Sequence, residues 1–195
     1  MANLTEYFAG SGGSNVIEVV HGSCDGRSIT TESGTYTLPT VTGGQSLSAS
    51  YADITGSSFT YTPPNNAKYV SYKFDFHWDA IGSSAISHWM LLIDGTEIVK
   101  SHQQFSSNYS GSHGHHHGAF EACLYTVFDL TASTTNAAAA QFATWTSDKT
   151  IKVQARNYRT TDYLARAHAL PYHGSGQQFG GQNYTRPSLT IIAFS

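Results

Sequence analysis

Along this chain, apolar and polar positions trade places over short spans, with turn-forming residues between them. That is the texture of short β-strands. The clearest run is 69–79. Val70, Tyr72, Phe74, Phe76 and Trp78 share one face of it, and Ser71, Lys73, Asp75 and His77 share the other. The aromatic row is expected to be core. The runs 87–93 and 96–99 flank Asp94-Gly95, a strong hairpin signal because both turn positions need positive φ. Further strands are predicted over 16–20, 35–38, 46–51, 57–62, 121–130, 151–158 and 188–194, nine or ten in all. The strand at 57–62 is stopped by Pro63-Pro64-Asn65-Asn66.

The stretch 136–143 is rich in alanine, and its propensity allows two helical turns. It lacks capping residues, so a strand-connecting loop is the other reading. Residues 1–15 end in Ala9-Gly10-Ser11-Gly12-Gly13-Ser14-Asn15, which cannot hold regular structure well. Either this is an arm that docks through Tyr7 and Phe8, or it is a loose terminus. Many short strands, Gly/Pro/Asn turns and no β-α-β alternation imply an all-β fold. We expect one antiparallel β-sandwich over 16–195, a jelly roll, preceded by the arm at 1–15.

Three segments carry a family resemblance in their order: Cys24-Asp25-Gly26-Arg27-Ser28-Ile29, the run from Gln45 to Ser57, and Tyr61-Thr62-Pro63-Pro64. With Lys152–Tyr158 and Arg186–Ile191 they cover roughly 16–195, and the chain resembles virion structural proteins of marine tailed phages and large algal viruses. Such proteins are similar to trimeric jelly-roll modules of the tumour-necrosis-factor/C1q type, used as fibre tips or capsid decorations. The resemblance implies a homotrimer on a virion, in contact with capsid or tail proteins.

Composition narrows the function classes. Only 12% of the 195 residues are charged, against ~25% in an average globular protein. The formal charge is −3, with no basic footprint for nucleic acid. No apolar run approaches the roughly 20 residues of a membrane helix. The first residues lack a basic region followed by an apolar one. The expectation is synthesis in a cytoplasm and a final place on a virion released by lysis. Tyr and Trp number 12 and 3, types enriched in interface cores. Tyr158, Tyr163, Tyr172 and Tyr184 stand in loop-rich sequence and are candidates for oligomer contacts or surface recognition.

Candidate chemistry is sparse. His113, His115, His116 and His117 lie in one Gly-flanked loop. Imidazoles in that density suit a transition metal such as zinc, nickel or copper; the alternative is a polar surface loop. No other cofactor is implied. Ten histidines would turn the chain net positive below ~6.5, as a consequence of composition. Cys24 and Cys123 are too few for a disulfide framework, so they are two buried thiols or one long-range bridge. Asp75, Asp79 and Glu97 do not single out a catalytic pair, and neither Gly-x-Ser-x-Gly nor His-Glu-x-x-His occurs. No enzyme is expected. The expected function is a trimeric capsid decoration or small knob anchored by its arm. The alternative is a fibre-tip receptor-binding or carbohydrate-binding module that recognises host glycans.

Overall fold

A computed structural model describes residues 15–81, 84–108, 118–159, 164–169 and 184–195. The strands are β1 (Val16–Ser23), β2 (Ser28–Thr30), β3 (Thr35–Thr37), β4 (Gln45–Ser46), β5 (Ala52–Asp53), β6 (Phe59–Tyr61) and β7 (Tyr69–Ile81). They continue as β8 (Ser84–Ile93), β9 (Thr96–Glu97), β10 (Gln103–Asn108), β11 (Gly118–Asp129), β12 (Lys149–Asn157), β13 (Leu164–Ala167) and β14 (Ser188–Phe194). Each of the ten expected strands has a counterpart; the four others are β2, β5, β10 and β13, all of six residues or fewer. No helix among the described residues is long and apolar enough to cross a membrane.

Two antiparallel sheets face each other. The first runs β1-β14-β7-β11, and the second is built on β6-β12-β8-β10. Among these eight strands in chain order, the first pairs with the eighth, the second with the seventh, the third with the sixth and the fourth with the fifth. That is a long hairpin folded over on itself, the jelly-roll arrangement. The 13-residue β7 is shared: on one edge it pairs with β14 over 69–75 and with β13 over 78–81, and on the other with β11. This branching curls the first sheet.

The core lies between the inner faces. Val70, Tyr72, Phe74, Phe76 and Trp78 are all buried, as the alternation of β7 requires. Across the gap, Trp89, Leu91 and Ile93 of β8 meet Ile151, Val153 and Ala155 of β12. The Phe76 and Trp89 rings sit 4.7 Å apart and Phe74 lies 5.3 Å from Phe76, so aromatic packing knits the sheets together. Trp145 closes one end, with its ring against Phe128 at 5.2 Å and its Nε1 donating to the Tyr61 carbonyl. The hairpin joining β8 and β9 has Asp94 at φ 48° and Gly95 at φ 80°, the two positive values foreseen for Asp-Gly.

One open reading is decided and one expectation is corrected. The alanine stretch makes only a 3₁₀ turn, Ala137–Ala139, with Ala140 left-handed at φ 58°. The Ala140 carbonyl accepts from Asp129 N, and Phe142 N donates to the Asp129 carbonyl. This docking onto the end of β11 places Phe142 and Trp145 in the core, and their burial overrides alanine propensity. The strand expected over 46–51 survives only as β4. Ser48 Oγ bonds to the Ser50 carbonyl, and the Asn157 side-chain amide takes the Leu47 carbonyl. Serine here competes with the ladder for its own backbone.

Gly56 sits at φ +88° in the turn after β5, where an added Cβ would lie 2.5 Å from Val41 Cγ2 and 3.2 Å from Pro187 Cγ. Gly56→Ala is therefore expected to destabilise the fold by about 1–3 kcal/mol, read as a lowered urea midpoint. An unchanged midpoint would show that this turn relaxes freely.

Candidate interaction surface

The two outward faces of the sandwich differ. On the first sheet the register sets out cross-strand rows. One row is Val16, Phe194, Tyr69 and Asp129; the next is Val19, Ile192, Ser71 and Val127. A third holds His21, Thr190, Lys73 and Tyr125, and a fourth Ser23, Ser188, Asp75 and Cys123. Val19, Val127 and Tyr125 are 45%, 41% and 52% exposed, whereas Ser71 between its larger row-mates is buried. The outcome is an apolar band across four strands. A monomer seldom presents apolar side chains in contiguous rows without a partner for them.

The outward face of the second sheet is polar. It carries Lys152, Gln154 and Arg156 of β12, with His88 and Gln104 opposite. Lys152 Nζ lies 2.9 Å from Asp53, Gln154 donates to the same carboxylate at 2.7 Å, and Arg156 stacks over Tyr51. The outward apolar pair Met90 and Leu92 is buried on this face. The two outward faces thus differ in how much apolar surface they expose.

Below the apolar band lies a hollow lined by Asp75, His77, Glu121, Cys123 and Arg186. His77 Nε2 and Glu121 Oε1 are 3.8 Å apart, and Lys73 pairs with Asp75 at 2.9 Å. Burial, then the Asp75 charge, pushes the Cys123 thiol up to about 11, so it is not a thiolate nucleophile at neutral pH. Cys24 is fully buried, donates to the Gly56 carbonyl at 3.3 Å, and is raised to about 12 by burial and Asp25. Both cysteines are free thiols, so the long-range bridge does not form.

Two buried polar sites hold the frame of these faces. Glu18 of β1 accepts from Ser33 N at 2.9 Å, Ser33 Oγ at 2.6 Å and the Tyr61 hydroxyl at 2.6 Å. Burial alone would raise its pKa, but these donors outweigh it and hold the carboxyl below its ordinary range. The hairpin of β2 and β3 is thereby tied across the edge between β1 and β6. Asp79 and Arg166, paired across β7 and β13, form a two-pronged ion pair that is almost wholly buried.

The expected site residues fall as follows. Tyr158, just past β12, is 49% exposed, and the Arg159 guanidinium lies over its ring. Tyr184 is half-buried against the core, with Arg186 beside it and a bridge to Ala169. Tyr163, Tyr172, Tyr7, Phe8 and the loop residues His113, His115, His116 and His117 lie outside the described residues. Among the described residues no group of three or more His, Cys, Asp or Glu is placed to hold a metal ion. The aliphatic band of Val16, Val19, Val127 and Ile192 was not singled out from sequence. A signal for it exists in the doublets Val19-Val20, Val127-Phe128 and Ile191-Ile192, since adjacent apolar residues in a strand place one on each face. No protein-family model matches the chain, and no curated protein matches it.

Proposed function

We propose that this chain is a structural protein of a particle surface, a capsid decoration or small knob whose copies associate through the outward face of the first sheet. The observation that supports this reading is the contrast between that apolar face and the polar face opposite. Covering Val19, Val127, Ile192 and Phe194 removes apolar area from water, which is the main favourable term in association. A chain with 12% charged residues has little else to keep such a face dispersed. A closed symmetric assembly would satisfy every copy of the face, and three copies are what the resemblance to trimeric jelly-roll modules implies. β1 is the edge strand of this sheet. The arm at 1–15 that precedes it in sequence is the proposed anchor to the particle, a virion in our reading. The role is structural rather than catalytic.

The test is sedimentation velocity on the intact chain carrying Val127→Asp and Ile192→Asp together. Two carboxylates in one row of the face should reduce the assembly to monomers while leaving the far-ultraviolet circular dichroism unchanged. A variant that sediments as the same oligomer as the parent would place the contact elsewhere.

A further inference from the structure

A second surface carries a different chemistry. The hairpin of β2 and β3 stands over β6 and leaves an open groove along the sandwich edge, away from the apolar face. Its lining is rich in hydroxyls, among them Thr35, Tyr36 and Thr37 of β3, Thr60 of β6 and Thr62 beyond it, and it includes the Asp148 carboxylate. Most of these groups are held in place by a partner. Thr35 bonds to Thr30 at 3.1 Å, Thr37 to Ser28 at 2.9 Å and Thr60 to Thr150 at 2.8 Å. Thr62 donates to Asp148 at 2.6 Å, and the Tyr36 hydroxyl donates to the Thr62 carbonyl at 2.9 Å. A hydroxyl has one donor and two acceptor positions, so each threonine retains hydrogen-bonding capacity after making its internal bond. Being already oriented, it loses little freedom on engaging a ligand.

A neighbouring hollow shares Ser33 and Thr62 with the groove and adds Glu32, Asn65 and Asn66. Neither hollow is lined by a Lys or an Arg among the described residues, and each has a carboxylate. Anionic ligands are therefore disfavoured. The lining residues Leu38 and Phe59 are buried, so a purely apolar ligand finds little surface to cover. A ligand that suits this lining is uncharged, elongated and dense in hydroxyls.

We propose that the groove between the β2–β3 hairpin and β6 binds a neutral oligosaccharide, with Asp148 and the threonine walls accepting and donating to its hydroxyls. This goes beyond the assembly reading and does not depend on it, since none of the residues invoked lies on the outward face of the first sheet. The single site is built from hydrogen bonds with little ring stacking, so binding by one chain is weak and repeated copies on one particle would strengthen it.

The experiment applies the labelled intact chain to a printed array of neutral, sialylated and sulfated glycans, beside the variants Asp148→Ala, Thr60→Val and Lys152→Ala. Asp148 and Thr60 are exposed and Lys152 is half-buried, and thermal melts confirm that each variant is folded. The proposal expects retention on neutral glycans, a loss of about tenfold for Asp148→Ala from the missing charged acceptor, a smaller loss for Thr60→Val, and no change for Lys152→Ala on the polar face. Retention on no neutral glycan, preference for sialylated or sulfated ones, or full binding by Asp148→Ala would each overturn it. Sedimentation of the same sample reports the assembly separately, so the two proposals fail independently.

Discussion

Arg166→Ala is expected to destabilise the protein by about 3–5 kcal/mol, because it strips the guanidinium partner from a fully buried carboxylate. Asp79 is 0% exposed and Arg166 4%, and their cross-strand pairing is the point where β13 joins β7. Each ion lost its hydration when the sheet closed, and the pair recovers that loss through its mutual attraction and its parallel hydrogen bonds. Removing one partner therefore costs far more than the pair itself contributes. The double variant Asp79→Leu with Arg166→Met should be more stable than either single change, since neither ion is then left buried without the other. Urea denaturation of the two singles and the double measures the coupling. Equal costs that simply add would show that the two side chains do not act as a pair.

Acid sensitivity is the second large effect. His168 is fully buried, with φ 61°, its Nε2 2.8 Å from the Thr55 carbonyl oxygen, and its ring edge-on to Phe74 and Phe76. Among the described residues its Nδ1 has no hydrogen-bond partner. Burial pushes the imidazole pKa down to about 4; the bond to the Thr55 carbonyl works against this and the nearby His77 adds to it. In the unfolded chain the ring titrates near ~6.5. Between those values the unfolded chain holds a proton that the folded one refuses. This contribution is therefore intact above ~6.5, declines as pH falls, and is fully lost by about 4, a change of about 3 kcal/mol. Glu18, Asp53 and Asp129, each held below its ordinary range by hydrogen bonds, add further loss as they protonate in stronger acid. Stability measured in urea from pH 7 to 4 should show this decline. His168→Asn should flatten it, because asparagine tolerates the left-handed backbone and does not titrate. An unchanged slope in that variant would assign the acid response to other groups.

The strands that could be read from sequence are those whose patterning matches their surroundings. β7 alternates cleanly because one face is core, and Asp94-Gly95 marks the hairpin of β8 and β9 because few other residues accept both dihedrals. β10 and β13 were missed for opposite reasons. Gln103–Asn108 pairs along β8 with only Phe105 turned toward the core, so its backbone supplies the pairing that its side chains do not advertise. Leu164–Ala167 carries an arginine whose burial makes sense only once Asp79 is opposite it, a contact 87 residues away in sequence. The exposed apolar band was hidden in a similar way. The aromatic count drew attention to tyrosines, whereas the exposed band is largely aliphatic and becomes a surface only when β1, β14, β7 and β11 come into register. Glu18 gave no local hint of burial, since its donors come from Ser33 and Tyr61 on other elements.

The central claim, that the outward face of the first sheet is made to be covered by further copies of the chain, is tested most directly by sedimentation equilibrium of the unaltered protein at neutral pH across micromolar concentrations. The account predicts a discrete assembly, three times the 21.1 kDa chain mass by expectation. A single species at the chain mass, unchanged at the highest concentration reached, would contradict it.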